Sequence, residues 1–300
     1  MRGRFAPSPT GPLHAGSLVA AVGSFLHARA LGGEWLLRIE DLDTPRCVAG
    51  ADDTIRRQLE ACALTWDGEV LYQSQRREAY AATIAQLQHD GHLYPCTCSR
   101  REITERSPDG RYPGTCRPRQ QVAAGERHAL RLRTHRPGRP DQPWQITFHD
   151  PWHGCITQNV ECAVGDFVVY RADGLHAYQL AVVVDDAFQA ISHVVRGHDL
   201  LDNTPRQIVL QQLLGLPTPA YAHLPLLLDR QGRKLSKQEQ APPVDPDAPT
   251  PALRLALRAL GYPPPAELEA APAPLLIEWA LNAWRADNGT SVPTHPTTVA

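Results

Sequence analysis

Lys234 and Lys237 are the only lysines among 300 residues, and they flank Leu235 and Ser236 in the stretch GRKLSKQ, residues 232–238. The preceding run HLPLLLD is apolar and strand-like, which puts the pair on a loop at a strand's end. Two ammonium groups on such a loop form a cationic clamp suited to charge that develops on a polyphosphate in a transition state. By themselves they read equally well as a solvated basic loop. A second segment, PSPTGPLHAGS at residues 7–17, also points to phosphate. A short strand runs into a proline- and glycine-rich turn, His14 follows, and helical periodicity begins at about Ala15. A helix N-terminus offers free backbone N–H groups and the positive end of a dipole. Gly11 and Gly16 let a ligand approach the backbone, and His14 can donate a hydrogen bond to a phosphoryl oxygen. A plain turn with a capping histidine would show the same pattern.

A third constellation is Cys96-x-Cys98 followed by Tyr112-x₃-Cys116. Three thiols within about twenty residues of irregular sequence suggest a structural zinc site. The C-x-C spacing is tighter than the usual C-x₂₋₄-C, and three free thiols are the competing reading. His92 and His128 rival Tyr112 as a fourth ligand. Cys47, Cys62, Cys155 and Cys162 read as small core residues. Between Arg100 and Arg139 stand eleven arginines against four acidic residues. That stretch is a candidate surface for nucleic-acid phosphate, or simply a solvated face.

The elements that must hold these groups alternate. Residues 2–6 predict a short strand, Ala15–Leu31 a helix ended by Gly32-Gly33, and EWLLRIE (34–40) a buried strand. Helices are predicted over Ala49–Ala63 and Arg76–Asp90. This strand–helix–strand–helix opening favours an α/β, Rossmann-like parallel sheet. Residues 96–145 lose that periodicity and look irregular, and 96–165 reads as an inserted subdomain. The sheet is expected to resume near Gly165, with strand-like runs at 166–171, 191–196 and 222–228 and a helix over Leu200–Leu214. The expected units are therefore 1–95 and 166–240 for the two halves of the sheet domain, 96–165 for the insert, and 241–300 for a short helical C-terminal segment. Within that segment a proline-rich linker leads to helices near 252–260 and 274–286, and the tail SVPTHPTTVA is expected to be disordered.

Composition limits the alternatives. The hydrophobic fraction of 42% and charged fraction of 21% are those of a soluble globular protein. No apolar run approaches the ~20 residues of a membrane span, and MRGRFAPSPTG has no apolar stretch typical of a secretory signal. Seven cysteines without such a signal fit a reducing cytoplasm. A net charge of −2 neither requires nor excludes a nucleic-acid partner.

The two phosphate-directed segments together, in a parallel-sheet context, resemble the paired signatures of class I aminoacyl-tRNA synthetases. RFAPSPTGPLHAGSL followed by LLRIEDLD resembles the glutamyl/glutaminyl branch, and YQLAVVVDD, VVRGHDLLDNTPRQ, HLPLLLD and KLSK follow in that branch's order. The resemblance covers about residues 3–240. Ala15, Leu235 and Gln238 are small departures that remove no functional group. About 60 residues follow Lys237, which leaves little room for a helical anticodon-binding region. This shortened form resembles the glutamyl-Q tRNA(Asp) synthetase family.

The resemblance implies glutamate activation by ATP with Mg²⁺, then transfer to queuosine in the anticodon of tRNA(Asp), by a protein acting as a monomer. Transfer to another acceptor, or a non-catalytic paralogue, are the alternatives. His14, Lys234 and Lys237 match the catalytic positions, and His14, Gly16 and Lys237 those that bind ATP. Glutamate's side-chain carboxylate calls for arginine's planar fork and its ammonium for a carboxylate. Arg4 and Arg196 match the first role and Glu40 the second. Phe5, Ala6, Pro7, Ser8 and Tyr178 match further substrate contacts. The family also carries one zinc held by cysteines and a tyrosine, which implies Cys96, Cys98, Tyr112 and Cys116 here.

Overall fold

The strands that open the chain are short and apolar, and they pair in parallel. The computed structural model describes residues 1–138, 142–228 and 243–298. β1 (Arg2–Phe5) lies parallel to β2 (Glu34–Ile39), and β3 (Leu71–Tyr72) extends the far edge of β2. Helix α1 (Ala15–Ala30) crosses between β1 and β2, and α2 (Ala51–Ala61) follows β2. Gly32 takes φ +63° just past α1, where a side chain would be strained. Gly23, inside α1, is needed for packing instead: a Cβ there would meet Leu224 Cδ1 at 2.6 Å.

After α3 (Arg77–His89) the chain leaves the parallel sheet. β4 (Leu93–Cys96), β5 (Ala129–Leu132) and β8 (Phe167–Tyr170) form an antiparallel sheet in the order β4-β5-β8. Between them lie α4 (Arg100–Arg106), started by a Ser99–Glu102 capping box, an antiparallel hairpin of β6 (Gln145–Asp150) and β7 (Gly154–Asn159), and the single turn α5 (Val160–Ala163). The sequence reading is corrected in two places. Residues 96–145 are not irregular throughout, and residues 166–171 do not resume the parallel sheet but close the antiparallel one. The pairing partners of β4 and β5 lie some forty residues apart, and nothing in their short, arginine-bordered patterns announces them.

The parallel sheet resumes at β9 (His193–Gly197), after α6 (Tyr178–Phe188), and continues through α7 (Thr204–Leu214) into β10 (Ala220–Leu224). Ser192 N donates to Arg2 O at 3.0 Å and seats β9 beside β1. The sheet thus grows outward from β1 in both directions, which makes the β1/β9 junction its switch point. Alternate residues face opposite sides, as strand geometry demands. Val195, Ala222 and Leu224 pack with α1 and the C-terminal helices α8 (Thr250–Ala259) and α9 (Ala273–Asp287), while Val194 and Tyr221 pack with α3, α6 and α7.

The tail departs from expectation. Val292 is buried, and β12 (Thr297–Thr298) pairs in parallel with β11 (Leu227–Leu228). Cys62 is a core residue as expected, but Cys155 and Cys162 are exposed and Cys47 is half-buried. No described helix is long and apolar enough to cross a membrane.

Candidate active site

At the carboxyl ends of β1 and β9, where the sheet switches direction, a cavity of about 310 Å³ opens. Open α/β sheets bind ligands at this position because loops diverge there. Arg4, Phe5, Ala6, Pro7 and Ser8 line it from β1 and the turn that follows, and Glu40 from the end of β2. Tyr178, at the start of α6, Arg196, on β9, and His14 and Gly16, where α1 begins, line it too. All ten residues, predicted from a chain span of nearly two hundred positions, meet in one cavity. Glu40 N donates to Pro7 O at 3.0 Å, so the end of β2 is tied to the proline-rich turn.

His14 is the N-cap of α1, and its Nδ1 accepts from Ser17 N at 3.3 Å. A neutral ring then carries its proton on Nε2, which lies 3.0 Å from Ser17 Oγ. Capping and phosphate contact are compatible roles for the two ring nitrogens. The proposed lysine clamp, Lys234 and Lys237, lies outside the described residues. The segment that follows them is anchored beside His14. Val244 N donates to Leu13 O at 2.8 Å, and the buried Gln58 amide bonds both Leu13 and Val244.

The electrostatics of the cavity floor centre on two residues that sequence reasoning missed. Asp186 accepts from Arg4 Nε at 3.0 Å and from Arg38 Nη2 at 2.8 Å, and all three side chains are buried. Burial favours the neutral acid, but Arg4 and Arg38 outweigh it and hold Asp186 below the usual carboxylate range. Arg4 Nη2 also reaches Asp186 Oδ2 at 3.4 Å, so Asp186 takes two of its five N–H groups and the two on Nη1 point to no acceptor on Asp186. The available signal was the acidic pair inside the apolar run LAVVVDDA, because a buried acid needs a buried base.

Glu40 is the least satisfied of the group. Its Oε1 stands 3.5 Å from Arg38 Nε, yet among the described residues neither atom has a hydrogen-bond partner. Burial pushes its carboxyl up to about 7, against the pull of Arg38 and Arg4. Arg196, which lines the same cavity, bonds neutral acceptors among the described residues: His223, Gln207, Tyr178, Thr204 and the Leu200 carbonyl. One cavity lined by a carboxylate short of donors and by a guanidinium with no carboxylate in contact among the described residues suits a ligand bearing both an ammonium and a carboxylate.

In the inserted sheet, the Sγ atoms of Cys96, Cys98 and Cys116 lie within 4.8 Å of one another. Cys98 and Cys116 are 3.5 Å apart, far beyond disulfide length and close to the ~3.8 Å edge of a tetrahedron with 2.3 Å metal–sulfur bonds. Tyr112 Oη sits 3.3 Å from Cys96 Sγ and 3.9 Å from Cys98 Sγ. Neither His92 nor His128 joins the cluster, so three sulfurs and one phenol oxygen are the donor set that fits a tetrahedral metal.

The sheet and cavity define the catalytic domain of a class I aminoacyl-tRNA synthetase. The family model for class I tRNA synthetases (E and Q), catalytic domain, matches residues 1–271. A glutamyl-Q tRNA(Asp) synthetase from Thiobacillus denitrificans is 56% identical over 301 residues, covering 98% of this chain and 95% of its own. One from Ectopseudomonas mendocina is 50% identical, covering 95% and 93%. This chain belongs to the glutamyl-Q tRNA(Asp) synthetase family. Among solved structures, the glutamate-tRNA synthetase of Elizabethkingia anophelis has a TM-score of 0.77 at 25% identity and covers 100% of this chain and 68% of its own. A glutamate tRNA ligase from Elizabethkingia meningosepticum, in complex with its amino acid, has a TM-score of 0.68 at 29% identity, covering 79% of this chain. The present chain spans about half of that ligase, 52%.

Proposed function

We propose that this enzyme activates L-glutamate with ATP to glutamyl-adenylate and pyrophosphate, and transfers the glutamyl group to queuosine in the anticodon of tRNA(Asp). The observation that carries the amino-acid half is that Glu40 and Arg196 line one cavity, Glu40 short of donors and Arg196 bonded to neutral acceptors. Arg196, with Arg4 Nη1, receives the side-chain carboxylate; Glu40 receives the ammonium, which supplies the donors its Oε1 lacks. The α-carboxylate is left free to attack the α-phosphorus in line. His14 and the first N–H groups of α1 receive the triphosphate, and Lys234 and Lys237 complete the clamp. Catalysis is positioning plus stabilisation of phosphate charge, with no covalent enzyme intermediate. Magnesium bound with ATP would neutralise part of that charge. Zinc, held by Cys96, Cys98, Tyr112 and Cys116, would staple the insert.

The names carried by the relatives support the acceptor. A loop base is also accessible to a catalytic domain, because unstacked anticodon bases can be splayed into a pocket. The test is transfer of radiolabelled glutamate to purified tRNA(Asp) with and without queuosine. Label should appear only on the modified tRNA and should persist when the 3′ terminal ribose alone is blocked. Charging of unmodified glutamate tRNA, with none on queuosine-bearing tRNA(Asp), would overturn the proposal.

A further inference from the structure

Behind Arg196 lies a buried chain of polar groups that the reaction as derived does not use. Asp150, at the end of β6, and His223, on β10, are both fully buried. Asp150 Oδ2 is 2.7 Å from His223 Nδ1, and Asp150 Oδ1 accepts from Trp152 N at 2.9 Å and His153 N at 3.0 Å. His223 Nε2 lies 3.2 Å from Arg196 Nε and 3.0 Å from Thr204 Oγ1, and Thr204 Oγ1 accepts from Arg196 Nη2 at 2.6 Å.

We propose that Asp150 and His223 are positioning residues that hold the Arg196 guanidinium in its ligand-binding orientation while leaving it without a directly bound carboxylate. The proposal rests on the reading of Arg196 as the partner of the substrate's side-chain carboxylate. The proton positions follow from chemistry. Ionised Asp150 can only accept, so His223 Nδ1 carries the proton. Arg196 Nε can only donate, so His223 Nε2 must be bare. Both conditions hold together only in the neutral Nδ1–H tautomer. Burial lowers the pKa of His223 to about 4, so the ring is neutral at working pH.

The arrangement resolves a conflict. A buried guanidinium needs a compensating anion. A carboxylate touching Arg196 would supply it, but would compete with glutamate for the same donors. Asp150 supplies the charge from the far side of an imidazole, and the outer donors meet neutral acceptors, of which Tyr178 Oη at 3.5 Å and the Leu200 carbonyl at 3.3 Å are the long contacts that a ligand carboxylate can displace. The hairpin of β6 and β7, which looks like an appendage of the insert, thereby reaches the specificity pocket.

The experiment compares Asp150→Asn, His223→Leu, His223→Gln and Arg196→Ala in glutamate-dependent ATP–pyrophosphate exchange. Asp150→Asn and His223→Leu should raise the KM for glutamate about tenfold or more, with the KM for ATP changed less than about twofold. A general loss of structure would move both. His223→Gln should recover part of the loss relative to His223→Leu, because its amide oxygen can accept from Arg196 Nε. Nitrogen-15 NMR of labelled histidine, with the His223 signal assigned by its loss in His223→Gln, should show Nδ1 protonated and Nε2 bare in the unmutated enzyme. A glutamate KM unchanged in folded Asp150→Asn, or an Nε2-protonated ring, overturns the proposal. If His223→Leu does not fold, Asp150→Asn and the NMR still decide. An unchanged glutamate KM in Arg196→Ala would instead sink the underlying reading of Arg196. A large rise there, with Asp150→Asn and His223→Leu unaffected, sinks the positioning role alone.

Discussion

Glu40 should make glutamate binding depend on pH in a range where glutamate itself does not titrate. Burial raises its carboxyl to about 7 in the free enzyme. Only the ionised form can receive an ammonium, so the binding-competent fraction is about one half at pH 7, one eleventh at pH 6 and nearly all at pH 8. The apparent Kd scales with the inverse of that fraction. Glutamate should therefore bind about tenfold more weakly at pH 6 than at pH 8, with the loss setting in as pH falls through about 7. The buried histidines His27 and His223 are lowered to about 4 and stay neutral across this window. The same group acts on stability with the opposite sense. A folded value near 7 against 4.5 unfolded means the native state holds a proton that the unfolded chain has released. Stability therefore falls as pH rises from about 4.5 to 7, and by pH 8 the charged, under-donated carboxylate destabilises the fold by about 3 kcal/mol. Glu40→Gln should then be more stable than the parent at pH 8, by up to that amount, and no more stable near pH 4. Its glutamate affinity should be low and flat with pH. Calorimetric titration with glutamate from pH 6 to 8, and urea unfolding at pH 4.5 and 8, measure both effects. A parent Kd that does not change between pH 6 and 8, or a Glu40→Gln variant that keeps the pH slope, would refute the assignment of this titration to Glu40.

Lys237→Ala should lower pyrophosphate exchange by two to three orders of magnitude with the unfolding midpoint unchanged, since removing one preorganised charge donor typically removes ~3–4 kcal/mol of transition-state stabilisation. Full activity in the folded variant would remove Lys237 from the clamp. Protein purified without added metal should contain about one zinc per chain. Cys98→Ser should lose or weaken it and melt at lower temperature. Less than about a tenth of an equivalent in the parent, with normal stability, would leave the three thiols as plain cysteines.

The parts of the fold legible in the sequence are those with strong local periodicity. Leu18, Val22, Phe25 and Leu26 mark one face of α1, and all are buried. The apolar run at 34–40 became β2, and the patterns near 252–260 and 274–286 became α8 and α9. The insert resisted because its information is non-local. β6 alternates between buried and exposed positions and pairs with β7 just past a short turn, but Pro151 and Gly154 read as loop. β8 read as a parallel strand because FVVY carries no mark of its partner; a strand's apolar pattern records burial, and not the direction of its neighbour. The tail, polar and proline-bearing, is held by β11 and by burial of a single valine.

The order of the motifs determined which chemical groups the site could contain. Arg4, Ser8, His14, Glu40 and Arg196 are named by side-chain type and position in a recognisable series, and a helix start after a glycine-bearing turn follows from backbone sterics alone. Only the tertiary structure decided how those groups behave. That Arg4 is half-occupied by Asp186, that Glu40 lacks donors and holds its proton to about 7, and that Arg196 is oriented by a histidine from β10 are all consequences of distances between residues far apart in the chain. Local conformation depends on neighbours in sequence. Charge state depends on desolvation and on the inverse distance to every other charge, and those quantities exist only once the chain has folded.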